Sequence, residues 1–166
     1  MAIIYPEGTI SKPVLNFAFD TKFDTQSFGA SSSLTTISGL SVTMSLQTSR
    51  NYFLIMGQIS IGCGSATSVI ATILNNGSEI DSLRGGADGS RLRCTTRGSQ
   101  DNQFECHSFP LIGAYAPGNT NSHTFTLGGS ANAGSFFVNR SANSGNNTSR
   151  DNARPFTTLQ VFEIVD

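Results

Sequence analysis

The sequence predicts an all-β chain, a two-sheet antiparallel sandwich of the jelly-roll type. Three observations carry this prediction. Leu40, Val42, Met44 and Leu46 alternate with Ser41, Thr43 and Ser45, a two-residue period that sets the apolar side chains on one face of a strand. Tyr52 to Ile61 is apolar on both faces at first, as in a strand covered on both sides. Ser68 to Leu74 follows with no helical stretch between, and it closes on Asn75-Asn76-Gly77, a tight-turn signal.

The remaining elements are read in order. Residues 1–12 form an extended arm: Ile3, Ile4 and Tyr5 are apolar, and Pro6 and Gly8 interrupt regular structure. So short an apolar arm cannot cover itself, and it is expected to attach to its own domain, a sister subunit or a scaffold. Residues 13–166 form the sandwich domain. Val14 to Phe19 is the first strand, with Leu15, Phe17 and Phe19 on one face. Phe23 and Phe28 sit in a looser segment that adds at most a short strand, and Leu34 to Ile37 leads into the opening strand pair.

After the Asn76-Gly77 turn, Ser78 to Ser82 reads as a short strand. Gly85 to Asp101 is rich in Gly, Ser, Arg and Asp, and a loop of that length inside a compact domain is uncommon. A hidden strand at Arg91–Thr96 is expected there. Phe104 to Tyr115 resumes strand character, with Phe109-Pro110 marking an edge or bend. His123 to Leu127 alternates, Ser135 to Arg140 is a further strand, and Ser141 to Asn152 is an exposed loop. Thr157 to Val165 is a long last strand, central and paired with the first. About eight to ten strands separated by turn signals fit a sandwich best, with a barrel as the alternative.

A chain of 166 residues suits one such domain. Its charged fraction of 13% and net charge of −1 offer no general attraction to nucleic acid or an acidic membrane. No run approaches the roughly 20 apolar residues of a membrane span. The first residues lack the basic region and apolar core of a secretory signal, so synthesis in the cytoplasm is expected. Cys63, Cys94 and Cys106 are odd in number and spaced for neither a zinc site nor a disulfide framework. Buried free thiols are the expectation, with Cys94–Cys106 the favoured pair if a bridge forms.

Catalytic equipment is sparse. His107 and His123 have no metal-ligand spacing, and Cys106 and His107, being adjacent on a strand, point to opposite faces. Glu79 with Asp81, or Asp20 with Asp24, are the carboxylate pairs a glycoside hydrolase would need, but solvated turn carboxylates account for them. Gly85 to Gly89 lacks the ligand pattern of a calcium loop. No catalytic residue, metal ligand or cofactor is therefore assigned. Arg84, Arg91, Arg93 and Arg97 cluster in one loop, and Asn147 and Arg150 in another. These are the candidate ligand loops, weighed against ordinary solvated loops. Asn76-Gly77-Ser78, Asn139-Arg140-Ser141 and Asn147-Thr148-Ser149 match the glycosylation pattern, which is discounted without a secretory signal.

The order of motifs resembles a known family. Ile37-Ser38-Gly39-Leu40-Ser41-Val42-Thr43, Leu74-Asn75-Asn76-Gly77-Ser78-Glu79-Ile80, Phe137-Val138-Asn139-Arg140-Ser141 and Thr157-Thr158-Leu159-Gln160-Val161-Phe162-Glu163-Ile164 follow one another as in small β-sandwich proteins and domains of tailed bacteriophages, especially marine and cyanobacterial ones. The likeness spans roughly residues 30–165. Where that family carries Arg-Asp before its turn glycine, this chain has Asn75-Asn76.

The resemblance implies a surface protein of the virion, a capsid decoration, fibre or tail appendage, trimeric like the tumour-necrosis-factor-like jelly rolls. A non-enzymatic structural protein is then expected. It would be held by its arm to the major capsid protein or another virion or tail protein, and assembled as a homotrimer through strand faces carrying Tyr52, Leu54, Phe136 and Val138. The alternative is a receptor-binding tip module of a tail fibre, whose loops read a host-surface glycan or protein. A glycan-cleaving enzyme is the third reading.

Overall fold

The computed structural model describes residues 13–29, 33–143, 145 and 153–166. The arm residues Ile3, Ile4 and Tyr5 and the loop residues Asn147 and Arg150 lie outside them. Among the described residues the chain forms twelve strands: β1 (Val14–Lys22), β2 (Gln26–Phe28), β3 (Thr35–Thr36), β4 (Val42–Ser45), β5 (Tyr52–Cys63), β6 (Thr67–Asn75), β7 (Ser78–Glu79), β8 (Thr96–Gln100), β9 (Cys106–Tyr115), β10 (Ser122–Ala131), β11 (Phe136–Val138) and β12 (Thr157–Ile164). One 3-10 turn, Asp81–Leu83, follows β7.

All pairings are antiparallel, and they build two facing sheets. In the first, β12 lies between β1 and β5, and β9 flanks the far side of β5. Beyond the end of β12, β11 takes its place beside β5, with β2 outside it. In the second, β10 and β6 are central; β4 and β3 pair along β10, and β7 and β8 along β6. The chain is thus an antiparallel sandwich, and the last strand is central and paired with the first, as expected.

Strict alternation packs the space between the sheets. Phe53, Ile55, Ile59 and Ile61 of β5 and Leu159 and Val161 of β12 meet Val69 and Ile73 of β6 and Phe125 and Leu127 of β10, all at most 1% exposed. Phe53 and Phe125 meet edge to face at 4.9 Å between centroids, a favoured geometry for two rings.

Two expectations change. The hidden strand lies at Thr96–Gln100 rather than Arg91–Thr96. Residues 91–95 are held otherwise: Arg91 N–H donates to the Asp88 carbonyl and Gly85 N–H to the Cys94 carbonyl within the loop, and Thr95 docks on Ala71 and Thr72 of β6. Phe136 and Val138, expected at a subunit interface, are completely buried. Their partners in the ladder are Cys63 and Ile61, both inward-facing, and that register forces Phe136 and Val138 into the core. Their side chains are unavailable to a second subunit.

Candidate functional site

Two surfaces stand out, one on the outside of each sheet. Outside the first sheet, the ladder aligns Phe17 with Phe162, Leu54 and Ala114 in one row, and Phe19 with Gln160, Met56 and Ile112 in the next. A third row holds Thr21, Thr158, Gln58 and Pro110. No charged residue occupies any of these twelve positions. Phe19 is 64% exposed and Ile112 61%. Phe17 stacks on both Phe162 (4.7 Å) and Phe19 (5.6 Å). Beyond the third row, exposed Phe23 and Phe156 approach to 6.2 Å.

Tyr52 and Leu54 face outward on this side of β5 and are half-buried by their neighbours. The sequence placed Leu15, Phe17 and Phe19 on one face of a strand but could not say which way that face looked. Met56 and Ile112 were not anticipated, because runs apolar on both sides hide the outward set.

Outside the second sheet, residues 84–97 fold back over β6 and bring the four arginines of the candidate loop together. Arg84 bridges Glu79 and Asp81. Arg93 donates to the Gly85 carbonyl (Nε, 2.6 Å) and the Asp81 carbonyl (Nη2, 3.2 Å), and approaches the Asp81 carboxylate. The neighbouring guanidinium groups, Arg84 first, hold the Asp81 carboxyl below the usual carboxylate range. Arg91 pairs with Asp88 at the tip. Arg97 donates to Ser68 Oγ at 2.9 Å.

Between this loop and the sheet lies a cavity of about 510 Å³ lined by Ser68, Ile70, Arg91, Leu92, Arg97, Ser130 and Asn132. A second, of about 370 Å³, shares Ile70 and Leu92 with it and extends toward Glu79, Arg84 and Arg93. Ser130 and Asn132 escaped sequence reading because they lie in β10 and just beyond it, far along the chain from the loop.

The groups weighed for catalysis serve the fold. Glu79 and Asp81 both bind Arg84, and an ionised, arginine-bound Asp81 is no proton donor. Asp20 accepts from the Thr21 and Ser41 amides. His123 is 5% exposed, set between Asn75 and Asn119, and burial lowers its pKa. All three cysteines are free thiols, and burial pushes Cys63 and Cys106 up to about 11. Such thiols are poor nucleophiles. Among the described residues no three His, Cys, Asp or Glu side chains gather as metal ligands do.

No protein-family model matches the chain, and no curated protein does. Solved structures that align with it include the infectious bursal disease virus Gx strain, at 15% identity over 99% of this chain and 46% of that one, with a TM-score of 0.40. The infectious bursal disease virus VP2 subviral particle aligns at 15% identity over 99% of this chain and 44% of that one, TM-score 0.39. The chain spans less than half the length of either.

Proposed function

We propose that this chain is a non-enzymatic structural protein of a tailed-phage virion, a decoration or fibre subunit that assembles into a homotrimer through the outside of its first sheet. The observation that carries the reading is the uncharged face built on Phe17, Phe19, Met56 and Ile112. Those four residues expose on the order of 400 Å² of largely apolar surface, the size of patch that is often functional, and the Phe23–Phe156 pair lies beyond the third row. A stable interface takes about 800 Å² from each partner, and interfaces between identical subunits are the more apolar kind. A second copy of the chain is therefore the occupant this face suits.

The alternation of strands between the sheets supports the jelly-roll form: β1 and β2 in the first, β3 and β4 in the second, β5 in the first, β6 to β8 in the second, β9 in the first, β10 in the second, β11 and β12 in the first. The motif order from Ile37 to Ile164 supports the virion setting. In this reading residues 1–12 tie the subunit to the major capsid protein or another virion protein.

Light scattering on the purified protein tests the assembly. The native protein should run as a trimer at micromolar concentration, and Phe19→Lys with Ile112→Lys should run as a folded monomer that no longer enters particles. Deleting residues 1–8 should keep the trimer but abolish incorporation. A monomeric native protein, or normal occupancy of the double variant on purified particles, would overturn the reading. A receptor-binding role is the second reading, favoured by the arginine-lined cavity on the opposite side.

A further inference from the structure

We infer that the cavity between residues 84–97 and the second sheet is a binding site for an acidic saccharide, with Arg97 receiving the sugar carboxylate. The site gives the receptor-binding reading a ligand class and does not depend on the assembly reading, since a monomer carries it equally.

Charge selects the residue. Glu79, Asp81 and Asp88 satisfy Arg84, Arg93 and Arg91. Arg97 has no carboxylate partner among the described residues, so the surplus positive charge of this region rests on its guanidinium. That group stands in the wall of the cavity, turned by its bond to Ser68 Oγ. A guanidinium so placed offers its remaining N–H groups as a planar fork, the shape that matches a carboxylate with two parallel hydrogen bonds.

The cavity supplies what the rest of a sugar needs. Ser130 is 4% exposed, lines the cavity, and its hydroxyl has no hydrogen bond among the described residues. Its Oγ reaches the solvent that fills the cavity, and a ligand hydroxyl would take the place of water there. The exposed Asn132 adds an amide, while Ile70 and Leu92 supply an apolar wall for the C–H face of a ring. Leu92 is 69% exposed, so its side chain is open to a ligand in the cavity. The volume of about 510 Å³ suits one or two sugar rings. A bare inorganic anion would use Arg97 and leave Ser130, Asn132 and Leu92 without work.

The test titrates the full chain with tetragalacturonate, its carboxyl-reduced neutral counterpart and sodium sulfate, followed by calorimetry and by amide NMR shifts. Saturable binding of the uronate is expected, with shifts at Ser68, Arg97, Ser130 and Asn132 and no saturation by the neutral sugar. Arg97→Gln should weaken binding by about tenfold or more, as loss of a charge-assisted pair does. Leu92→Asp, a change at an exposed side chain that leaves the fold intact, should do the same by repulsion. Arg50→Gln, remote from the cavity, should change nothing, and none of the three should alter the oligomer seen by light scattering. Equal binding of the neutral sugar, native affinity in Arg97→Gln, sulfate competing as strongly as the uronate, or no saturation at 10 mM uronate (a generous ceiling for a single-ring site) would each overturn the assignment.

Discussion

At the scale of single residues, one asparagine explains a motif that the sequence left ambiguous. Asn139 is fully buried, with a left-handed backbone at φ 61°. Its Nδ2 donates to the carbonyls of Lys22 (2.7 Å) and Asp24 (3.0 Å), and its Oδ1 accepts from the Thr157 hydroxyl at 2.7 Å. Its own N–H reaches the Ser60 carbonyl. One side chain thereby ties the β1–β2 connection and the start of β12 to β11. The same residue heads a glycosylation-like Asn-Arg-Ser, and its burial shows why that pattern is structural here. Asn139→Ala should cost roughly 3–5 kcal/mol, from lost hydrogen bonds and from a Cβ residue held at positive φ. Asn139→Gly loses the same bonds without the backbone penalty and should recover about 1 kcal/mol, so urea midpoints should fall in the order native, Gly, Ala. Cys63 gives a residue-scale pH dependence. Burial raises its thiol from 9.0 to about 11, so the folded state holds the proton more tightly than the unfolded one. Its stabilisation is complete below pH 9 and should fall as pH rises from 9 to 11, by roughly 2–3 kcal/mol over that window. A flat urea midpoint between those pH values would contradict this.

At the scale of elements, legibility followed side-chain periodicity. β4, β10 and β12 were readable because Val42 and Met44, Phe125 and Leu127, and Leu159 and Val161 alternate with outward polar residues. The Asn76-Gly77 turn was readable because both residues need positive φ, and they have it, at 50° and 77°. β8 was not readable, and the reason is packing. Its inward positions are Thr96, Gly98 and Gln100, none of them hydrophobic. The space above Gly98 is filled by the Phe109 ring from β9, into which any Cβ at Gly98 would run. The strand is thus buried by a neighbour's aromatic side chain rather than by its own residues, and no local pattern records that. Gly98→Val should force Phe109 out of its place and cost about 2–3 kcal/mol, the usual penalty for overpacking. If Gly98→Val melts within 1 °C of the native protein, a shift far below the several degrees such a cost implies, that account of β8 fails. The same logic explains the outward faces. Periodicity separated the two sides of β1 but could not say which met the core, and the same ambiguity in the short β11 cost the interface expected of Phe136 and Val138. The cavity was legible only in part: the arginine run is a local feature, whereas Ser130 reaches it through the β6–β10 pairing.

At the scale of the whole molecule, the topology makes folding an all-or-none event. β12 is hydrogen-bonded to β1 on one side and β5 on the other, so the final strand completes a sheet begun by the first. Its inward residues Leu159, Val161 and Glu163 are completely buried. Glu163 Oε1 accepts from the Gln47 amide (2.6 Å) and Asn51 Nδ2 (2.7 Å), which fastens the β4–β5 connection to the same strand. Without β12, β1 has no partner in the sheet, and β5 keeps only β9 and the short β11. Removing residues 157–166 should therefore leave no stable remnant: far-UV circular dichroism should lose its β signature, and heating should show no cooperative transition. Removing residues 1–12 leaves all twelve described strands in place and should preserve the transition. Because every sheet is closed by partners distant in sequence, refolding of the native chain should be slow, in the millisecond-to-second range, as for other sandwiches. A cooperative melt in the protein lacking residues 157–166 would mean that the remaining strands form a core on their own, and the single-unit account of this sandwich would fall with it.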